Sequence, residues 1–299
     1  EAGGRPEHIG RLTAYCCDKP AYLAARKQLG AVWRQLMGNH YPAMSMIFVA
    51  DLLDSPGVPS EFTEQAVVDG KLKPELAAKG IRHQVLLRPN VYFTYFNMDD
   101  ATVGGNTPAK VALRRAVALA YDNDEANRLA RNGQAIAAQS VVSPFTSGYD
   151  ADYRSEMGQH NRTRAMALLD LFGYVDRVGD GWREQPDGSP LLLRLASTPD
   201  QRSRNRNELW RKYTAAIGVR MVFDIATWPD LLKKSRAGSV MMWGFIWVAG
   251  TPDGSFFLGI GYGPNASESN DARFSLPEYD RLFERQAVLP DGPERDALM

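Results

Sequence analysis

Hydrophobic and polar positions change rhythm repeatedly after Gly188. Leu191 to Ala196, Val219 to Ile225 and Val240 to Trp247 are short apolar runs rich in aliphatic, β-branched and aromatic residues, and they read as strands. Between them, Arg204 to Ile217 and Trp228 to Ala237 read as helices that stop at Gly218 and Gly238. The order strand, helix, strand, helix, strand predicts an α/β layer whose parallel neighbours are joined by right-handed crossovers. Ligands in such a layer sit beyond the carboxyl ends of the strands. That rule selects Ser197 to Asp200, Thr227 to Trp228, and Trp247 to Asp253.

Upstream, Val91 to Asn97 follows Pro89 and is dense in aromatic residues, which predicts a buried strand ahead of a turn over Asp99 to Asn106. Thr107 is placed to cap the next helix and Pro108 to occupy its first position. Val111, Leu113, Ala116, Val117 and Ala120 give that helix an apolar stripe. Another helix begins at Asn161, buries Ala165, Leu168, Leu169 and Phe172, and stops at Gly173. Glycines 70 and 80 bound two short helical pieces, Phe62 to Val68 and Pro74 to Lys79. Before Pro59 the apolar residues Trp33, Leu36, Met44, Met46, Ile47, Phe48 and Val49 follow no sustained period. The last residues, from Pro277 to Met299, read as charged helix; with no initiating Met and this ending, truncation at both ends is the expectation.

Composition narrows the function classes. With 299 residues, 44% of them hydrophobic, the chain can bury a substantial core. Thirty-five basic residues balance thirty-five acidic ones, so no net field favours nucleic acid or anionic lipid as a partner. Cys16 and Cys17 are adjacent and unsuited to an ordinary disulfide. No run of 18 apolar residues occurs, and Glu1 to Arg11 lacks the zones of a signal peptide.

Candidate chemistry is sparse. The loop Asp176 to Asp187 offers oxygen ligands at calcium-loop positions 1, 5 and 12, with Gly181 at position 6, but Val178 at position 3 cannot ligate. A Gly- and Asp-rich turn feeding the next strand is the simpler reading. His8, His40, His83 and His160 stand singly, without zinc-site spacing. No nucleophile elbow or phosphate loop is present, and the Asp99/Asp100 and Asp122/Asp124 pairs fit capping or solvated roles. In the run Met242 to Trp247, Trp243, Phe245 and Trp247 share one strand face. Core packing suits Trp243 and Phe245, whereas Trp247 lies at the strand's end beside Gly250, Thr251, Pro252 and Asp253, where a ligand can meet it.

These segments, taken in order, resemble the family 5 extracellular solute-binding proteins, the peptide- and nickel-type substrate-binding subunits of ABC transporters. The resemblance lies in Tyr95-Phe-Asn-Met98 followed by Val111 to Asp122; Gly133 to Ala135, Ser143-Pro144 and Gly148 to Asp150; Ala165 to Gly173; Gly179 to Gly181 and Pro186 to Gly188; and Trp247, Thr251 to Asp253, Ser269-Asn270 and Pro277 to Asp280. It spans about Phe62 to Met299, while Glu1 to Pro59 departs from the pattern.

The resemblance implies an α/β, bilobed, type II periplasmic-binding-protein architecture with an incomplete first lobe. The implied division is 1–95 as a remnant of that lobe, 96–270 as the second lobe, and 271–299 as the start of a return segment. It implies no enzyme activity, cofactor or metal. The implied protein is a periplasmic or membrane-anchored monomer that binds a peptide-like or other small organic solute and passes it to permease subunits. Trp228 and Trp247 match cleft tryptophans of peptide-binding members, and Asn97, Thr227, Thr251 and Asp253 complete the candidate ligand set. The ammonium-pairing Asp of those members is replaced by Gly250, which argues against ordinary peptides held by a free amino terminus. The alternatives are a carboxylate-dependent hydrolase and a chaperone or sensor module on the same fold.

Overall fold

The computed structural model describes residues 11–16, 19–38, 43–48, 66–68, 71–83, 88–131 and 133–299. The chain forms two compact units, Glu1–Ala66 and Val67–Met299. In the first, strand β1 (Arg11–Cys16) pairs in parallel with β2 (Ala43–Phe48), in register from Arg11 opposite Ala43 to Cys16 opposite Phe48. Parallel neighbours need a long crossover, which helix α1 (Lys19–Met37) supplies. Leu23, Leu29, Val32 and Leu36 on that helix are exposed, so its apolar residues do not gather into one buried stripe.

The second unit opens with a small antiparallel pair, β3 (Val67–Val68) with β4 (Lys71–Leu72), and a single helical turn, α2 (Pro74–Ala77). The pair replaces the end of the helix expected over Phe62 to Val68; residues 62–65 lie outside the described residues, as do His8, His40 and Cys17. The main sheet has the order β5 (Asn90–Phe96), β8 (Met242–Val248), β6 (Leu192–Ser197), β7 (Arg220–Ile225). Strands β8, β6 and β7 run parallel, as the alternating pattern predicts. β5 runs antiparallel to β8, from Asn90 opposite Val248 to Phe96 opposite Met242, and spans the expected boundary between residues 95 and 96.

Helix α3 (Pro108–Ala120) starts as its sequence dictates: Thr107 Oγ1 accepts the Lys110 amide at 3.4 Å, and Pro108 follows the cap. Helix α5 (Arg162–Leu171) is capped by Asn161, whose Oδ1 accepts the Arg164 amide at 2.9 Å, and it ends before Gly173, at φ 81°. Leu113, Ala116 and Val117 of α3 and Ala165 and Leu169 of α5 pack against Leu193, Leu195, Met221 and Met242. The opposite sheet face buries Tyr95, Ala196 and Trp243 against Leu231 and Val240. Met242 and Trp243 thus enter different clusters, as period-two alternation requires. Helix α4 (Asn123–Arg131) was not legible in the pattern; α6 (Gln201–Ala215) and α7 (Trp228–Arg236) follow β6 and β7. Beyond β8 come α8 (Ser255–Leu258), α9 (Pro277–Ala287) and α10 (Pro293–Asp296). No described helix is long and apolar enough to cross a membrane.

Candidate functional site

Strand β6 ends at Ser197, while β8, paired to β6 through Trp243, continues to Val248 alongside β5. The staggered ends leave a cavity of about 220 Å³ beyond the carboxyl end of β6. Its lining comes from Tyr92 and Thr94 on β5, Trp243 to Ile246 on β8, Leu195 to Thr198, Arg131 of α4, Arg202, Arg206, Asn207 and Trp210 of α6, and Trp228 of α7. Arg202, Arg206 and Trp210 are four residues apart along α6, so one helix row reaches the cavity. Alternation along β5 likewise turns Tyr92 and Thr94 together.

Gly244 shapes the floor. A Cβ there would lie 2.6 Å from Thr94 Oγ1 and 2.7 Å from the Tyr92 hydroxyl, so the missing side chain makes room for both. Burial raises the Tyr92 pKa against the opposing pull of Arg206 and Arg131, which keeps the phenol a neutral donor at physiological pH. Ser197 Oγ donates to Asn207 Oδ1 at 3.0 Å across the buried end of β6. Asp200 caps α6, accepting Thr198 Oγ1 at 2.5 Å and the Ser203 amide at 2.9 Å. Burial pushes its pKa up, but these bonds outweigh that and hold it at about 2. Among the described residues, no Asp or Glu lines the cavity.

The candidate ligand set separates. Trp228, half exposed at the start of α7, reaches the cavity and lies 6.2 Å from Trp243. From Trp243 a ladder of rings continues through Phe245 at 4.8 Å and Trp247 at 6.1 Å to Phe256, stacked on Trp247 at 5.5 Å. Trp247 therefore sits at the far end of the same aromatic wall, outside the cavity lining, with its buried indole Nε1 lacking an acceptor. Thr227 adjoins Trp228, and its Oγ1 donates to Asp230 Oδ2 at 2.6 Å. Thr251 is exposed in the loop after β8.

Asn97 and Asp253 lie elsewhere, in the framework. Asn97 is buried, donating from Nδ2 to the Gly238 carbonyl at 2.8 Å and accepting the Asp99 amide at 3.0 Å. Asp253 accepts Arg295 Nη2 on both oxygens, at 3.1 and 2.9 Å, and the Ser255 amide at 2.9 Å. Sequence reasoning missed Tyr92, Arg131, Arg202, Arg206 and Asn207; the four-residue row in α6 is a signal for Arg202 and Arg206 and the two-residue alternation in β5 for Tyr92, whereas Arg131 and Asn207 carry none.

In the Asp176 loop, Asp176, Asp180 and Glu184 bring ligand atoms within 4.8 Å of one another. Asp176 accepts the Gly179 and Gly181 amides at 2.7 and 2.8 Å, Asp180 accepts the Trp182 amide at 3.0 Å, and Glu184 accepts the Arg177 amide at 2.7 Å. These bonds fold the turn that precedes β6.

Residues 53–269 match the family model described as bacterial extracellular solute-binding proteins, family 5 Middle. Di/tripeptide-binding protein 2 of Pseudomonas aeruginosa is 26% identical over 190 residues, covering 62% of this chain and 33% of the relative. Heme-binding protein A of Haemophilus influenzae is 26% identical over 210 residues, covering 70% of this chain and 36% of the relative. The chain thus spans about a third of the curated relatives it matches. In fold it is similar to a periplasmic oligopeptide-binding protein of Thermotoga maritima, with a TM-score of 0.63 at 16% identity, covering 94% of this chain and 53% of that one. The mixed α/β fold is that of type II periplasmic binding proteins.

Proposed function

Because this chain belongs to the bacterial extracellular solute-binding proteins of family 5, we propose that it supplies the α/β lobe that grips a small organic or peptide-like solute for an extracytoplasmic ABC importer. The observation that carries this reading is the cavity beyond β6, walled by Trp228, Trp243 and Phe245 and bordered by placed polar groups. Concave, largely apolar sites with a few polar groups are the usual form of a ligand site. Trp228 is the first contact in this reading, and Trp247 extends the same wall toward Thr251. Thr227 fixes the entry of α7, while Asn97 and Asp253 hold the backbone on which the wall stands.

The solute is bound and released unaltered, and its acceptor is the permease of the importer. Among the described residues the lining holds no Asp or Glu, which disfavours a carboxylate-dependent hydrolase. Calorimetric titration of the intact protein with dipeptides, tripeptides and heme, repeated on Trp228→Ala, tests the reading. Truncating a central aromatic contact costs about 2 kcal/mol or more, about thirtyfold in affinity. Such a loss, with solute recovered unchanged, is the expected result. Equal binding by the variant places the site elsewhere, and turnover of the solute contradicts carriage.

A further inference from the structure

We propose that the cavity beyond β6 contains an oxyanion subsite built by Arg131, Arg202 and Arg206, so that the preferred solute carries a carboxylate beside an apolar group. This inference rests on the carrier reading above and names the chemistry of its solute. Three guanidinium groups line one cavity that no Asp or Glu lines, and none of the three forms an ion pair among the described residues. Arg131 and Arg206 both lie over the Tyr92 ring, 4.8 and 4.9 Å from its centre, which puts the two charges roughly within one Debye length of each other. Arg202 and Arg206 are a like-charged pair four residues apart on α6, an arrangement that costs stability in an isolated helix. The nearby carboxylate, Asp200, is taken up by Thr198 and the Ser203 amide at the helix cap.

Packing against Tyr92 explains where two of these cations rest, Arg206 also donates to Ser203 Oγ at 2.7 Å, and the ionised Asp200 offsets part of the charge, which leaves the cluster with a net positive charge. An oxyanion matches it. A guanidinium fork presents paired N–H donors to two oxygens of one carboxylate, and the aromatic wall at Trp228 and Trp243 receives the attached apolar group. The Tyr92 hydroxyl beside Gly244 is a further neutral donor at the cavity floor.

The test titrates the intact protein, and its Arg202→Gln and Arg206→Gln variants, with N-acetyl-Ala-Phe-Ala as the free acid and as the carboxyl-terminal amide. Phenyl phosphate is a third probe that separates carboxylate from phosphate. Arg202 is exposed, so its variant preserves the fold, and Arg128→Gln on the outer side of α4 serves as the control. The free acid binds at least tenfold more tightly than the amide, and each cavity variant loses roughly tenfold to a hundredfold for the acid and little for the amide. Arginine-dependent binding of phenyl phosphate supports the oxyanion subsite and widens it to phosphate. Equal affinity for acid and amide, or equal losses for both in the variants, overturns the subsite while leaving the carrier reading intact. If no probe binds, the subsite is overturned, and the carrier reading is then decided by solute recovered from the native protein.

Discussion

Replacing Asp253 with Asn separates a framework role from a ligand role. Asp253 joins the segment after β8 to the chain's last helix, through both oxygens to Arg295 Nη2 and through Oδ1 to the Ser255 amide. The Arg295 side chain is 9% exposed and that of Asp253 37%, so the pair lies between a surface ion pair and a buried one. Breaking a buried pair costs about 3–5 kcal/mol, and exposed pairs contribute about 1 kcal/mol or less. Arg295 keeps Asp291 at 2.6 Å as a second partner. We therefore expect a loss of about 2 kcal/mol, read as a fall in Tm of roughly 4–8 °C for a unit of this size.

The effect depends on pH. Burial acts to raise the Asp253 pKa, but the Ser255 amide and Arg295 more than offset it, and the pKa is held below the ordinary value. A depressed folded-state pKa contributes stability that is fully present above the unfolded value of about 3.9 and is lost as pH falls through the folded value. The gap between wild type and Asp253→Asn is thus widest at neutral pH and closes below about pH 4. Thermal melts across pH 3–8, with solute binding measured in parallel, provide the assay. An unchanged Tm with weakened binding would refute the framework assignment.

Three further outcomes follow from the geometry. Gly254→Ala places a Cβ 2.0 Å from the Ser147 carbonyl oxygen, a backbone atom that cannot swing aside, and lowers stability by about 1–3 kcal/mol in denaturant melts. Gly244→Ala meets mainly the side-chain ends of Thr94 and Tyr92, so it weakens solute binding in calorimetry more than it lowers Tm. Asp271 is buried, and burial raises its pKa against the opposing bond donated by Ser235 Oγ. Its charged form disfavours folding above pH 4, so Asp271→Asn raises the Tm at pH 7, with the gain vanishing at pH 3.

The parallel core of the sheet was legible because β6, β7 and β8 are apolar runs punctuated by Gly218 and Gly238, and the caps Thr107 and Asn161 announced their helices. The antiparallel placement of β5 was not, since pairing direction depends on a partner about 150 residues away in sequence, and Tyr95 looks the same in either direction. The unit formed by β1, α1 and β2 escaped because α1 scatters Leu23, Leu29, Val32 and Leu36 among polar residues. In the site, Trp228 was found because the strand-end rule concerns the residues that follow a strand. The arginines were hidden because they reach the cavity from two helices, and only tertiary packing brings Arg131 and Arg206 to one tyrosine ring. Asn97 drew attention through the family resemblance and Asp253 through the segment that follows a strand, yet their bonds are to the protein's own backbone and to Arg295.

Native mass spectrometry of the intact protein purified from its host is the direct test of solute carriage. Solute carriage requires a small solute released unaltered on denaturation and rebound on return to native conditions, with both signals weakened in Trp228→Ala. A protein that arrives bare, gains no Tm from peptides, heme or organic anions, and converts one of them to product would contradict it.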